Sequence, residues 1–204
     1  MARYLGDRSR QTRNAGMDLE HYTKPSAQKC KSDRRPGHAD KRRARSSDYG
    51  QQLEMKQAIK HYYGLLEKQF KNYYVEADRM KGSTAENLLL LLESRLDNII
   101  YRMGLAATRR EARQIVSHNL VCVNGKRCNI PSRLIKIGET VSLVEKALAH
   151  DRVKAAIAVA QDQPEISWLD IDYTKCLANV TSPVDTTKLN EMFKVKLVVE
   201  LYSK

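Results

Sequence analysis

The sequence predicts an α+β protein: a mostly helical chain with a small antiparallel sheet and a basic extended N-terminal arm. Three observations predict it. Residues 53–103 repeat apolar side chains at three- and four-residue steps, the period of an amphipathic helix. Asn124-Gly125 lies between Val121-Cys122-Val123 and Lys126-Arg127-Cys128, a strong hairpin signal, because both central residues of the turn must accept positive φ. Residues 1–46 show neither period and are rich in Arg, Lys, Ser, Asp and Gly. Such a segment cannot bury enough apolar surface to order alone, and it is read as an arm that orders against an anionic partner.

In chain order, the run Lys41-Arg42-Arg43-Ala44-Arg45 is the densest charge of the arm. Between residues 53 and 80, Ile59, Tyr62, Tyr63, Leu66, Phe70, Tyr73, Tyr74, Ala77 and Met80 share a helical face, with Lys56, Lys60, Lys68 and Lys71 outside. Gly64 bends or splits this stretch. Tyrosines at that spacing read as core in preference to base-stacking platforms. Ser83 and Glu86 cap the next helix. It is expected to run to Met103, with Leu92, Leu96, Ile99, Ile100 and Met103 on one face, and Gly104 supplies its left-handed stop. Thr108 and Glu111 form a capping box for a third helix, on which Ala112, Ile115 and Val116 point one way and Arg109, Arg110 and Arg113 another. After the hairpin, Ile130-Pro131-Ser132 breaks the chain. Residues 136–139 read as a turn, 140–144 as a strand, 151–160 as an alanine-rich helix, 168–172 and 175–180 as a late hairpin, and 189–193 as helix. Residues 194–202 alternate and then turn continuously apolar, so strand and helix both fit.

Charge bounds the partner. The 204 residues carry a net +12, divided as +7 over residues 1–50, +7 over 51–154 and −2 over 155–204. A polyanion is met by the first three quarters. The four cysteines, Cys30, Cys122, Cys128 and Cys176, form no CxxC pair, which argues against a zinc knuckle. Pairing Val123 with Lys126 sends Cys122 and Cys128 to opposite sheet faces, so both are read as thiols. No signal-peptide core opens the chain, and the longest pure apolar run, residues 88–92, is far too short to span a bilayer. The expected localisation is cytoplasmic, with no membrane.

Chemistry is sparse. The five histidines show no metal-ligand spacing, and there is no phosphate loop or dinucleotide fingerprint. The reading is no metal, no cofactor, no small-molecule substrate and no catalytic residue. Arg95-Leu96-Asp97 resembles the triplet that holds the catalytic aspartate of RNA pseudouridine synthases. Here Asn98-Ile99-Ile100-Tyr101 continues an amphipathic helix, and Asp97 is read as a helix-surface partner for a neighbouring arginine. His118, at a helix end, is read as a donor to a free carbonyl or to phosphate.

The arginine-rich helix and basic hairpin resemble the RNA-binding module named after small-subunit ribosomal protein S-four. The likeness extends to Met1-Ala2-Arg3-Tyr4-Leu5-Gly6, to residues 47–53 (SDYGQQL), to residues 87–132 and to residues 199–204 (VELYSK). The chain is thereby identified as a member of the bacterial small-subunit (30S) ribosomal protein S-four family. That resemblance implies a helical domain interrupted by the module, which consists of two helices and a small antiparallel sheet. It divides the chain into a basic arm (1–46), a helical domain (47–93), the module (94–156), and a late hairpin with a C-terminal segment that packs back on the helical domain (157–204). It implies a structural, non-enzymatic primary binder of 16S rRNA that nucleates assembly of the 30S body. It further implies contact with ribosomal protein S-five, a contribution to translational accuracy, and contact with messenger RNA at the mouth of its channel. Many family members hold zinc with four cysteines in the arm. Here Ser9 and Thr12 stand where two would be, which leaves Cys30 and predicts no zinc. Such departures fit a divergent zinc-free second copy as well as a housekeeping one.

The candidate RNA-binding side chains are Arg3, Arg8, Arg10 and Arg13 near the start, Lys41, Arg42, Arg43 and Arg45 in the arm, and Lys56 and Lys60 on the first long helix. To these the module adds Arg95, Arg102, Arg109, Arg110, Arg113, His118, Lys126 and Arg127. Contact with about eight phosphates predicts a log–log salt slope of roughly −6 to −7. Two alternatives carry the same module: a pseudouridine synthase-like enzyme and a ribosome-associated stress or rescue factor.

Overall fold

A computed structural model describes residues 4, 6–21, 47–148, 150–160 and 166–203. The protein is α+β, with ten helices and one five-stranded antiparallel sheet among the described residues. The chain divides into two compact units. One comprises residues 1–89 and 186–204, the other residues 90–185.

The first unit is helical. Its opening helix, α1 (Arg8–Ala15), corrects the expectation of an extended segment. Asp7 caps it by accepting the Ser9 N–H at 2.9 Å, Gly16 ends it at φ +64°, and it packs on the next helix. Hydrophobic periodicity missed it because the side chains it buries, Gln11 and Thr12, are polar. Residues 22–46, with the Lys41–Arg45 cluster, and Arg3 lie outside the described residues.

α2 (Asp48–Tyr62) starts five residues before the apolar period, because Ser47 caps it by accepting the Gly50 N–H at 3.2 Å. Gly64, at φ +65°, splits the long periodic stretch as expected. The Leu65 N–H reaches back to the Lys60 carbonyl at 2.9 Å and satisfies the helix end. α3 (Glu67–Arg79) follows.

Residues 194–202 prove helical. After α9 (Thr187–Phe193), Lys194 turns the chain at φ +42° and α10 (Lys196–Tyr202) packs on α2. Burial on one side turns that apolar end into helix: Phe193 meets Tyr62 edge-on at 4.9 Å, and Tyr202 stacks on Tyr74 at 4.6 Å. Gln52 donates to Glu200 at 3.1 Å, and the Tyr202 hydroxyl donates to Glu67 at 3.0 Å.

The single helix expected over residues 83–103 is two. α4 (Thr84–Glu93) stops, Arg95 takes extended φ −66°, ψ 138°, and α5 (Leu96–Arg102) resumes. Backbone pairing with a distant segment makes the break. Arg95 forms a bridge with Leu134, the Leu96 N–H donates to the Arg133 carbonyl at 2.8 Å, and the Ile135 N–H donates to the Ser94 carbonyl at 2.8 Å. The apolar period survives on both sides, so the sequence hides the interruption.

The second unit packs α5 and α6 (Arg109–Ser117) with the sheet. Its strands are β1 (Val121–Val123), β2 (Lys126–Arg127), β3 (Thr140–Leu143), β4 (Leu169–Asp172) and β5 (Leu177–Val180), in the order β2-β1-β3-β5-β4. The hairpin register matches the expectation: Val123 pairs with Lys126 and Cys122 with Arg127, and both Cys122 and Cys128 are thiols. The late hairpin belongs to this sheet through β5 and β3, with Val141 opposite Ala178. Strand pairing thus groups it with the module, although it precedes the C-terminal helix in sequence. Val121, Val123, Val141 and Ala178 pack with Ile99, Met103, Ala112 and Val116 in one core. Two further helices, α7 (Glu145–Leu148) and α8 (Asp151–Ala160), complete the unit. A Cβ on Gly104 (φ +72°) would clash with the Ala160 Cβ, so glycine is required there by approach as well as by turn.

Candidate nucleic-acid interface

The expected cap of α6 forms with a shift of one residue. The Thr108 hydroxyl accepts the Glu111 N–H at 3.3 Å, while the Glu111 carboxylate reaches past Thr108 to the Ala107 N–H at 3.0 Å. Ala112, Ile115 and Val116 are buried, and this fixes which face is left outward. At the other end Asn119 takes φ +59°. The Leu120 N–H bonds the Ile115 carbonyl at 3.3 Å and the Asn119 N–H bonds that of Val116 at 3.0 Å. These bonds cap the last turn without help from the exposed His118 side chain, and the chain passes directly into β1.

Five arginines expected to meet phosphate fall into three groups. Arg95 is 2 % exposed and forks Asp97, with Nε at 3.0 Å from one carboxylate oxygen and Nη2 at 2.6 Å from the other. Arg109 is 9 % exposed, donates from Nε to Asn98 Oδ1 at 2.8 Å and lies 4.3 Å from the Tyr101 ring centre. These two guanidiniums are built into the interior as struts. Arg102 forks the buried Glu93 with both bonds at 2.9 Å, and Arg113 reaches Asp97 at 3.4 Å; their side chains remain 22 % and 18 % exposed. Arg110 alone of the five is fully on the surface.

Of the two carboxylates that sort these arginines, Glu93 went unnoticed in the sequence, whereas Asp97 was expected as an arginine partner. Glu93 also accepts Asn98 Nδ2 at 2.8 Å, so Glu93, Asn98, Arg102 and Arg109 form one connected set. Four polar residues amid the long apolar stretch, Glu93, Arg95, Asp97 and Asn98, were the available signal, since buried charges survive only when paired. Asp97 is indeed an arginine partner, but in the interior instead of on the helix surface. Held between Arg95 and Arg113, it has no open face for catalysis.

Beyond the helix, Lys126 and Arg127 are exposed on β2. In the first unit Arg10 is exposed and Arg8 and Arg13 are half-buried on α1. Lys56 and Lys60, expected among the RNA-binding side chains, are engaged within their own unit. Both hold Glu67, at 2.6 and 3.1 Å. Burial alone would raise the Glu67 carboxyl, but bonds from Lys56, Lys60 and Tyr202 bring it down to about 2. Ser9 and Thr12 spend their hydroxyls locally, on Asp7 and on the Arg8 carbonyl. Neither supplies the thiolate or imidazole a zinc site needs. Among the described residues no cluster of His, Cys, Asp and Glu could hold a metal, and no helix is long and apolar enough to cross a membrane.

Comparison with known proteins fits this layout. A model described as the ribosomal protein S4/S9 N-terminal domain matches residues 3–93, and the S4 domain model matches residues 94–141. The small ribosomal subunit protein uS4 of Coxiella burnetii (strain RSA 493 / Nine Mile phase I) is 50 % identical over 206 residues, and all of both chains is covered. That of Francisella tularensis subsp. novicida (strain U112) is 47 % identical over the same span, again with full coverage. The chain belongs to the uS4 ribosomal protein family. The junction between the two matched regions, at residues 93 and 94, coincides with the break between α4 and α5.

Proposed function

We infer that this chain is a structural constituent of the small ribosomal subunit and works by binding rRNA, with no catalytic step. Similarity over its whole length to proteins named small ribosomal subunit protein uS4 carries that reading. The exposed cations of α6 and the hairpin supply the physical means. Guanidinium forks bind phosphate oxygens in two-point geometry, and folded RNA, with its narrow major groove, is recognised by shape and backbone more than by base sequence.

More finely, the chain acts in the cytoplasm as a primary binder of the 5′ domain of 16S rRNA and nucleates the 30S body. It touches ribosomal protein S-five and messenger RNA and so influences accuracy. Arg110, Arg102, Arg113, Lys126 and Arg127 carry the module's phosphate contacts. The N-terminal arginines and the Lys41–Arg45 cluster add to them. The test is binding of the purified chain to 16S 5′-domain RNA, against a 23S fragment of equal length. Selective binding that weakens steeply with salt is expected, and equal affinity for the two RNAs would overturn the assignment.

A further inference from the structure

Glu139 stands in the turn before β3, and its carboxylate gathers donors from three places. Arg133 Nη2 donates to Oε1 at 2.9 Å, Asn124 Nδ2 donates to the same oxygen at 3.4 Å, and the Lys136 N–H donates to Oε2 at 2.7 Å. Asn124 is the first residue of the hairpin turn, at φ +50°. It is tied a second time to β3. Its Oδ1 accepts the Thr140 N–H at 2.8 Å and the Thr140 hydroxyl at 3.3 Å, and its own N–H donates to the Thr140 carbonyl at 2.9 Å. An Asn-Gly turn closes by itself. These extra bonds extend the β1–β3 pairing to the tip itself and fix its side chains against the turn before β3.

The tethered loops carry cations. Lys126, Arg127 and Lys136 are exposed, and none makes an ion pair among the described residues. Arg133 is 37 % exposed, and with five N–H donors it can serve Glu139 and a second acceptor together. We propose that Glu139 is a positioning residue that locks the hairpin tip, Arg133 and Lys136 into one phosphate-binding patch, in which Arg133 is itself a ligand for the RNA backbone. The inference rests on the rRNA reading above and names a further part of that surface.

A carboxylate beside a polyanion repels it, and that gives the test a sign. If Glu139 acted through charge alone, Glu139→Gln would bind RNA more tightly. As a positioning residue it must do the opposite. A glutamine keeps one acceptor where the carboxylate serves three donors, and its amide N–H groups face another donor.

The full chain and its variants are titrated with 16S 5′-domain RNA over a potassium chloride series, with Trp168 fluorescence in urea as a check on folding. Glu139→Gln is expected to weaken binding about fivefold to tenfold, the scale set by one charge-assisted hydrogen bond to phosphate. Arg133→Ala is expected to weaken it about as much and to reduce the salt slope by about 0.7–0.9. If Glu139→Gln does not fold, the slope of Arg133→Ala, a change at a half-exposed side chain, decides alone. Equal or tighter binding by folded Glu139→Gln, or an unchanged slope in Arg133→Ala, overturns the proposal. A wild-type chain that ignores the RNA overturns the rRNA reading instead, and this inference with it.

Discussion

Replacing the module's arginines one at a time separates struts from ligands. Arg95→Ala removes the two-point fork and leaves the interior Asp97 carboxylate facing Arg113 at 3.4 Å. Breaking one side of a buried ion pair costs about 3–5 kcal/mol. A domain's whole stability is about 5–15 kcal/mol. Arg109→Ala removes the bond to Asn98 and the packing on the Tyr101 ring, which costs about 2–3 kcal/mol. Arg110→Ala touches neither network, so its effect on stability stays within about 0.5 kcal/mol.

The assay is favoured by composition. Trp168 is the chain's one tryptophan, it is buried, and it lies in the second unit, so its fluorescence reports the unfolding of that unit. At a urea dependence of about 2 kcal/mol per molar, Arg95→Ala moves the midpoint down by about 1.5–2.5 M and Arg110→Ala leaves it in place. RNA binding gives the complementary result. Arg110→Ala lowers the salt slope by about 0.7–0.9 and weakens binding about fivefold to tenfold. An unmoved midpoint for Arg95→Ala, or an unmoved slope for Arg110→Ala, would refute the division. Joint replacement of Arg109, Arg110 and Arg113 is not a clean probe, because it removes the Arg109 strut and the Arg113–Asp97 pair along with Arg110.

Other measurements follow from the same structure. Burial, then Lys60 and Arg8, lowers His61 from 6.5 to about 4. The unfolded chain therefore binds the extra proton, and stability present above pH 6.5 is lost as pH falls toward 4; His61→Gln should flatten that limb. Glu67, lowered from 4.5 to about 2, contributes stability present above 4.5 and lost as pH falls through 2, so Glu67→Gln should flatten only the more acidic limb. Gly104→Ala should cost about 2–4 kcal/mol, from left-handed strain plus the clash with Ala160, whereas Gly138→Ala in the same unit should cost about 1–2 kcal/mol from strain alone, since nothing lies within 4 Å of its Cβ; equal urea midpoints by Trp168 fluorescence would refute the close approach. Elemental analysis of the purified chain should find no stoichiometric zinc, and one zinc per chain would contradict the reading of Ser9 and Thr12.

Much of the fold was legible where local signals and tertiary demands agree. Asn124-Gly125 set the hairpin and its register, Gly64 and Gly104 set two helix ends, and Thr108 set a third start. What stayed hidden was decided at a distance. The break at Arg95 is made by residues 131–135, and the sheet position of residues 169–180 by β3. The α1 helix hid for a different reason: the side chains it buries are polar, so burial left no apolar trace.

The site was legible as charge and illegible as geometry. Helical steps of three and four put Arg109, Arg110 and Arg113 outside the apolar stripe, and all three lie off it. Lying off the stripe does not mean lying in water. Asn98, Tyr101 and Asp97 on α5 take up Arg109 and Arg113 and leave Arg110 to the surface. The interior carboxylates thus perform a selection that a count of positive charges cannot. They turn some arginines into scaffold, which costs desolvation. They hold Arg102 and Arg113 at fixed, half-exposed positions, where less side-chain entropy is left to lose on meeting phosphate. A basic protein of the same net charge without Glu93 and Asp97 would still attract RNA, but its arginines would arrive unplaced. The placement of these arginines therefore depends on Glu93 and Asp97 as much as on the arginines themselves.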